Sequence, residues 1–180
     1  MEYITIKVRY IRLERDPMNP KVYEAMSDQI KHELYSAYFY LSMSAYCETE
    51  NLHGFAKWLK LQAEEEQEHA MKFYDYLLDR GEKISLKAIE QPPVDFKGVK
   101  DIFTQVYEHE KKVTALINGI YAKAVEANDV ASQIFLHWFI EEQVEEEKNS
   151  SEVLALVERV EGSVGALFQL DDMLGQRAEE

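Results

Sequence analysis

Hydrophobic positions recur every three to four residues along four long stretches of the chain, the period of helices that each bury one face. The first stripe holds Met26, Ile30, Leu34, Ala37 and Leu41, and the second Leu52, Phe55, Leu59, Ala63, Ala70, Phe73 and Leu77. Ile102, Val106, Val113, Ile117 and Ala124 form the third, and Phe135, Phe139, Val153 and Val157 the fourth. Local punctuation sets the bounds. Asn19-Pro20 offers an N-cap with proline at the first helical position, starting a helix that runs to about Thr49. The polar turn TENLHG leads into a second helix from about Leu52 to Arg80, stopped by Gly81. Residues 81–98 carry Pro92-Pro93 and no period, so they read as a connection. A third helix spans about Val99 to Ala127, and a turn at Asn128-Asp129 starts a fourth that ends near Val160. Gly162-Ser163 breaks the pattern, and VGALFQLDDML reads as a short fifth helix.

Loop lengths turn these elements into a topology. Short turns make helices one and two antiparallel neighbours, and likewise three and four. Helices of roughly 28 residues are about 42 Å long, and the 81–98 connection can stretch to roughly 60 Å. It is long enough to run the length of the bundle, which lets helices two and three lie parallel. The expectation is an all-α fold, a four-helix bundle with one long crossover over residues 18–161 and a short fifth C-terminal helix and tail over 162–180. Residues 1–17 stand apart. TIKVRYIRL alternates like a strand, with Lys7, Arg9, Arg12 and Arg15 as a basic set, and this N-terminal extension is expected to be flexible.

The stripes are not purely apolar. Glu33 falls within the first, and Tyr40 lies at nearly the same angle seven residues on. Glu66 falls near the centre of the second, with His69 one turn further. Glu110 sits among the apolar residues of the third, and Gln143 and Glu146 lie between those of the fourth. A buried, unpaired carboxylate costs several kcal/mol or takes up a proton. Four glutamates on four helices, with no Lys or Arg at that level, need a shared counter-charge, and a pair of metal ions would supply it. Glu64 and Glu68, by contrast, are expected to face water.

Composition narrows the chemistry. The chain has 20 Lys and Arg against 34 Asp and Glu, a net charge of −14. That balance argues against nucleic acid or an anionic membrane surface as partner and suits cations. Cys47 is the only cysteine, so neither an intrachain disulfide nor a Cys-x-x-Cys metal knot is available, which fits a reducing cytoplasm. No apolar run reaches a membrane span of about 20 residues, and no signal peptide is expected. Carboxylates with one imidazole and no thiolate suit iron, manganese or zinc. Glu66 and His69 form a Glu-x-x-His pair. The fourth helix offers Gln143-x-x-Glu146 where a second such pair would stand in a symmetric di-iron bundle. The two metal positions are therefore expected to be unequal. One would have Glu33, Glu66 and His69, the other Glu66, Glu110 and Gln143 or Glu146, with Glu66 bridging.

At this point four segments, QIKHELYSAYFYLSMSAY, QAEEEQEHAMKFYDYL, YEHEKKVT and FLHWFIEEQVEEEK, together with the short fifth helix, closely resemble the haem-free bacterial ferritins over about residues 18–175. The resemblance implies a ferritin-like bundle that assembles into a hollow cage of 24 subunits, oxidises Fe(II) with O2 or H2O2 and stores ferric mineral. By motif position it implies Glu33, Glu66, His69, Glu110 and Gln143 as ferroxidase ligands, with Tyr40 beside them. Glu65, Glu142, Glu145 and Glu146 match an accessory iron position, and the fifth helix matches one that packs around the fourfold axes of the cage. Gln67 stands where related chains carry a haem-ligating methionine, so no haem is expected. Other readings are a di-iron oxidase or peroxidase without storage, a structural partner subunit, and a zinc or manganese site. Trp138 reads as core packing, and His32, His53, His109 and His137 as ordinary residues.

Overall fold

The first helix, α1 (Pro20–Thr49), begins where Asn19 accepts the Lys21 N–H at 3.0 Å and proline occupies the first turn. The computed structural model describes residues 17–176. The basic, strand-like segment and the last four residues lie outside the described residues. α2 (His53–Asp79) follows a tight turn in which Asn51 adopts a left-handed φ of 59°, a conformation asparagine tolerates. α2 ends at Gly81, whose φ of 83° suits glycine and lets the Glu82 N–H reach back to the Leu77 carbonyl. α3 (Val99–Glu126) and α4 (Val130–Arg159) are joined by three residues, and Asp129 caps α4 by accepting the Ser132 N–H. α5 (Val164–Leu174) is capped by Ser163. All five helices fall within a residue or two of the expected bounds, and the described residues hold no strand.

Packing fixes the topology. One apolar cluster gathers the C-terminal half of α1 (Tyr40, Met43), the N-terminal halves of α2 (Phe55, Leu59) and α3 (Ile102, Phe103), and the C-terminal end of α4 (Val153, Val157). A second gathers the opposite ends, with Val22, Met26, Phe73, Leu77, Ile117, Ala124, Leu136 and Phe139. α1 is therefore antiparallel to α2 and α3 to α4, while α2 and α3 run parallel. The 81–98 connection crosses the length of the bundle, held by Ser42 and Lys31 of α1 through Pro93 and Glu90. α5 lies across the start of α2. Asp171 Oδ1 accepts the Phe55 N–H at 2.9 Å, supplying the cap that Leu52 cannot.

Four apolar expectations need correction. Leu41 is exposed and Leu34 half-buried, because α1 turns them outward beside exposed Tyr38. Phe135 is half-buried and stacked on Tyr76, while Leu136 takes the core position. Trp138 is 37% exposed rather than core, with the Lys72 ammonium 4.3 Å from its ring. Each error is one position around a helix, about 100°.

Candidate metal centre

Between the two apolar clusters lies a polar layer. α1 contributes Glu33, one turn past Ile30; α2 contributes Glu66 and His69, between Ala63 and Ala70. α3 contributes Glu110, between Val106 and Val113, and α4 contributes Gln143 and Glu146, between Phe139 and Val153. The same 3.6-residue period that builds each apolar stripe points these groups inward. None of the six is more than 6% exposed, and Tyr40 beside them is fully buried. Glu64 and Glu68 face water, as expected.

The contacts within the layer are few. Tyr40 donates its hydroxyl proton to Glu110 Oε1. Gln143 Nε2 lies 3.3 Å from Glu110 Oε2, from the Glu110 carbonyl and from Thr114 Oγ1. His69 Nδ1 approaches Glu66 Oε2 at 3.4 Å, and its Nε2 lies 3.9 Å from Glu142 Oε1. Oε2 of Glu33 and Oε2 of Glu66 are buried with no hydrogen-bond donor. Two further residues enter the layer that the sequence reading passed over. Gln29 donates to Glu33 Oε1 at 3.1 Å, and Gln62 donates to Glu146 Oε2 at 3.0 Å.

Electrostatics follow from this geometry. Burial holds the Glu33 carboxyl well above the usual carboxylate range, and the neighbouring Glu66 raises it further. Glu66 is raised likewise by burial, then by Glu110 and Glu146. Glu110 is raised by burial, against the donors Tyr40 and Gln143 that favour its charged form. The Tyr40 hydroxyl is held well above 10.0 by burial and by the Glu110 charge, so it stays a proton donor. No lysine or arginine among the described residues is buried. No lysine or arginine therefore meets the carboxyls of the layer.

As the side chains stand, no group of three or more His, Cys, Asp and Glu among the described residues is arranged to hold a metal ion. The donor chemistry nevertheless fits one. Two orphaned carboxylate oxygens, an adjacent imidazole and further carboxylates suit a hard or borderline cation. An ion would supply the missing counter-charge. The candidate accessory residues are less tightly grouped. Glu65 and Glu142 are half-buried on the flank, where Glu142 lies near His69 and burial raises its carboxyl. Glu145 is exposed and lines a separate open cleft of about 450 Å³ with Trp58, Asn149 and Met173.

His109 also departs from expectation. It is packed 5.1 Å from the Phe39 ring and 6.2 Å from Tyr40, with its Nε2 2.8 Å from Ser36 Oγ. Burial pushes it down to about 4, so its ring is neutral near pH 7. Its place next to Glu110 was the available signal.

A family model described as a ferritin-like domain matches residues 23–160. A Haemophilus influenzae protein named a probable bacterial non-heme ferritin-like protein is 37% identical over 158 residues, 88% of this chain and 96% of its own. A Staphylococcus aureus bacterial non-heme ferritin is 34% identical over 160 residues, covering 89% and 96%. Among solved structures, an open-pore ferritin of Archaeoglobus fulgidus superposes with a TM-score of 0.88 at 38% identity, covering 89% of this chain and 99% of that one. A closed form of the Archaeoglobus ferritin, engineered by site-directed mutagenesis, gives 0.89 at 37% identity, covering 91% and 99%.

Proposed function

The chain belongs to the ferritin family, and from that membership and its buried carboxylate layer we propose that it stores iron, oxidising Fe(II) with O2 or H2O2 at a centre contained within one subunit. The observation that carries the reading is the pair of donorless oxygens, Glu33 Oε2 and Glu66 Oε2, in a layer without a buried cation. Fe(II) is the substrate. Glu33, Glu66 and His69 would hold one ion, and Glu66 and Glu110 with Gln143 or Glu146 the other. Glu66 would be the shared ligand.

Anionic oxygen ligands favour the trivalent ion over the divalent one, because each negative charge interacts more strongly with the higher charge. Two Fe(II) ions give one electron each, and O2 with two protons becomes H2O2. Tyr40 holds Glu110 in place by its hydroxyl. Glu65 and Glu142 on the flank, next to Glu146, would offer an acidic route by which ferric product leaves for a mineral of ferric oxyhydroxide, with Glu145 in its own cleft beyond them. No haem takes part, and the reading places the protein in the cytoplasm; among the described residues no helix is long and apolar enough to cross a membrane.

Storage requires an enclosed space, and we assign it to a homo-oligomeric cage of 24 subunits. Exposed Tyr38 and Leu41 on α1, Leu86, Ile89 and Val94 on the connection, and Val164, Phe168 and Met173 on α5 are apolar surface that assembly would cover.

The test adds Fe(II) in air to metal-free protein and follows ferric absorbance. Fast oxidation of about two Fe(II) per chain, then slower growth of a soluble mineral, is expected of the wild type. Glu66→Ala and His69→Ala should lose the fast phase. Should Glu66→Ala keep the wild-type initial rate, the centre is misassigned.

A further inference from the structure

The two glutamines in the polar layer occupy related places. Gln29 stands four residues before Glu33 on α1, and Gln62 four residues before Glu66 on α2. Each is about 1% exposed. Gln29 turns to the glutamate of its own helix, while Gln62 reaches across to Glu146 on α4.

A buried carboxylate needs a donor, and the type of donor matters here. A leucine in place of either glutamine would leave an acceptor bare. A lysine or arginine would satisfy the carboxylate more strongly but cancel the charge a metal ion needs. An amide N–H orients a carboxylate without adding positive charge.

Resting on the reading of the centre given above, we propose that Gln29 and Gln62 are positioning residues of the iron centre. Gln29 occupies Glu33 Oε1 and so presents the donorless Oε2 to the metal. Gln62 ties Glu146 to α2, keeping that carboxylate inside the layer. Glu66, 3.4 Å from His69 Nδ1, is the carboxylate that would be shared between the two metal positions. Groups that orient metal ligands typically contribute 10–100-fold to metal affinity.

Anaerobic titration of the assembled, metal-free protein with Co(II) tests this, read by the visible absorption of the bound ion and by thermal unfolding. Gln29→Met and Gln62→Met keep the shape and lose the donor. Both should bind Co(II) about 10–100-fold more weakly than wild type, with an altered spectrum. Gln62→His restores an N–H donor and should recover most of the affinity. Should the methionine variants fail to assemble, Gln29→Asn and Gln62→Asn, which withdraw the amide by one methylene, are read the same way and should show the same weakening. Binding within twofold of wild type and an unchanged spectrum, even with a lowered unfolding temperature, would mean that the amides only fill the core. Failure of the wild type itself to bind Co(II) or to oxidise Fe(II) would overturn the reading of the centre, and this proposal with it. A working wild type with indifferent glutamine variants overturns this proposal alone.

Discussion

At the scale of single residues, the centre trades stability for binding. Glu66 is buried beside other carboxylates, and burial disfavours its charged form, so replacing the carboxyl with a neutral amide should relieve the metal-free protein. Glu66→Gln is expected to raise the stability of metal-free protein near pH 7.5 by about 1–2 kcal/mol while abolishing fast iron oxidation. Urea unfolding checks the first and ferric absorbance the second.

The pH dependence has a definite sign. Burial lifts the native Glu33, Glu66 and Glu110 above their unfolded value of 4.5, so between the two values the native state binds more protons than the unfolded one. The contribution of these groups is present below 4.5 and is lost as pH rises through the raised native values. His109 acts in the opposite sense. Lowered to about 4, it contributes stability above 6.5 that is lost as pH falls toward 4. Comparing wild type with Glu66→Gln at pH 5.5 and 8 isolates the carboxylates. The wild type should lose more stability on going to pH 8 than the variant, and bound metal should shrink that loss.

At the scale of elements, α5 is held by close backbone contact. A Cβ added at Gly54 would meet the Asp171 carbonyl at 1.7 Å, so only glycine lets α5 approach the start of α2. Asp171 completes the joint by capping α2 from outside that helix. Gly54→Ala is expected to displace α5, and Asp171→Ala to cost about 1 kcal/mol through the lost cap. Thermal unfolding measures both. The centre lies well inside the bundle, so the initial oxidation rate of Asp171→Ala should stay near wild type, as measured by ferric absorbance.

At the scale of the whole molecule, exposed apolar residues occur on all five helices and the connection, and those on α1, the connection and α5 include Tyr38, Leu86, Val94 and Phe168. A cage of 24 chains of 21.0 kDa should elute as a particle of about 500 kDa. Phe168→Glu places a charge on the exposed face of α5 and should shift elution to smaller species without unfolding the bundle, as circular dichroism would verify. A wild type that elutes as a monomer or dimer would remove the cage, and storage with it.

Much of this protein was legible along the chain. Helix number, bounds and the long crossover followed from period and punctuation, which are local properties of the backbone. Glu33, Glu66, His69, Glu110, Gln143 and Glu146 stood out because a polar residue in an apolar stripe is visible from spacing alone. Tertiary structure alone decided how far each helix is rotated, and so that Leu41 and Trp138 are exposed while Leu136 is buried. It also decided partnership. Gln62 lies one turn from Glu66 yet bonds Glu146 on another helix, and Glu145 is on α4 yet stands apart in its own cleft. The reason is physical. A period of 3.6 residues states which way a side chain points, but the distance to a group on a neighbouring helix depends on how the helices rotate and slide against one another, and that is settled only when the core packs.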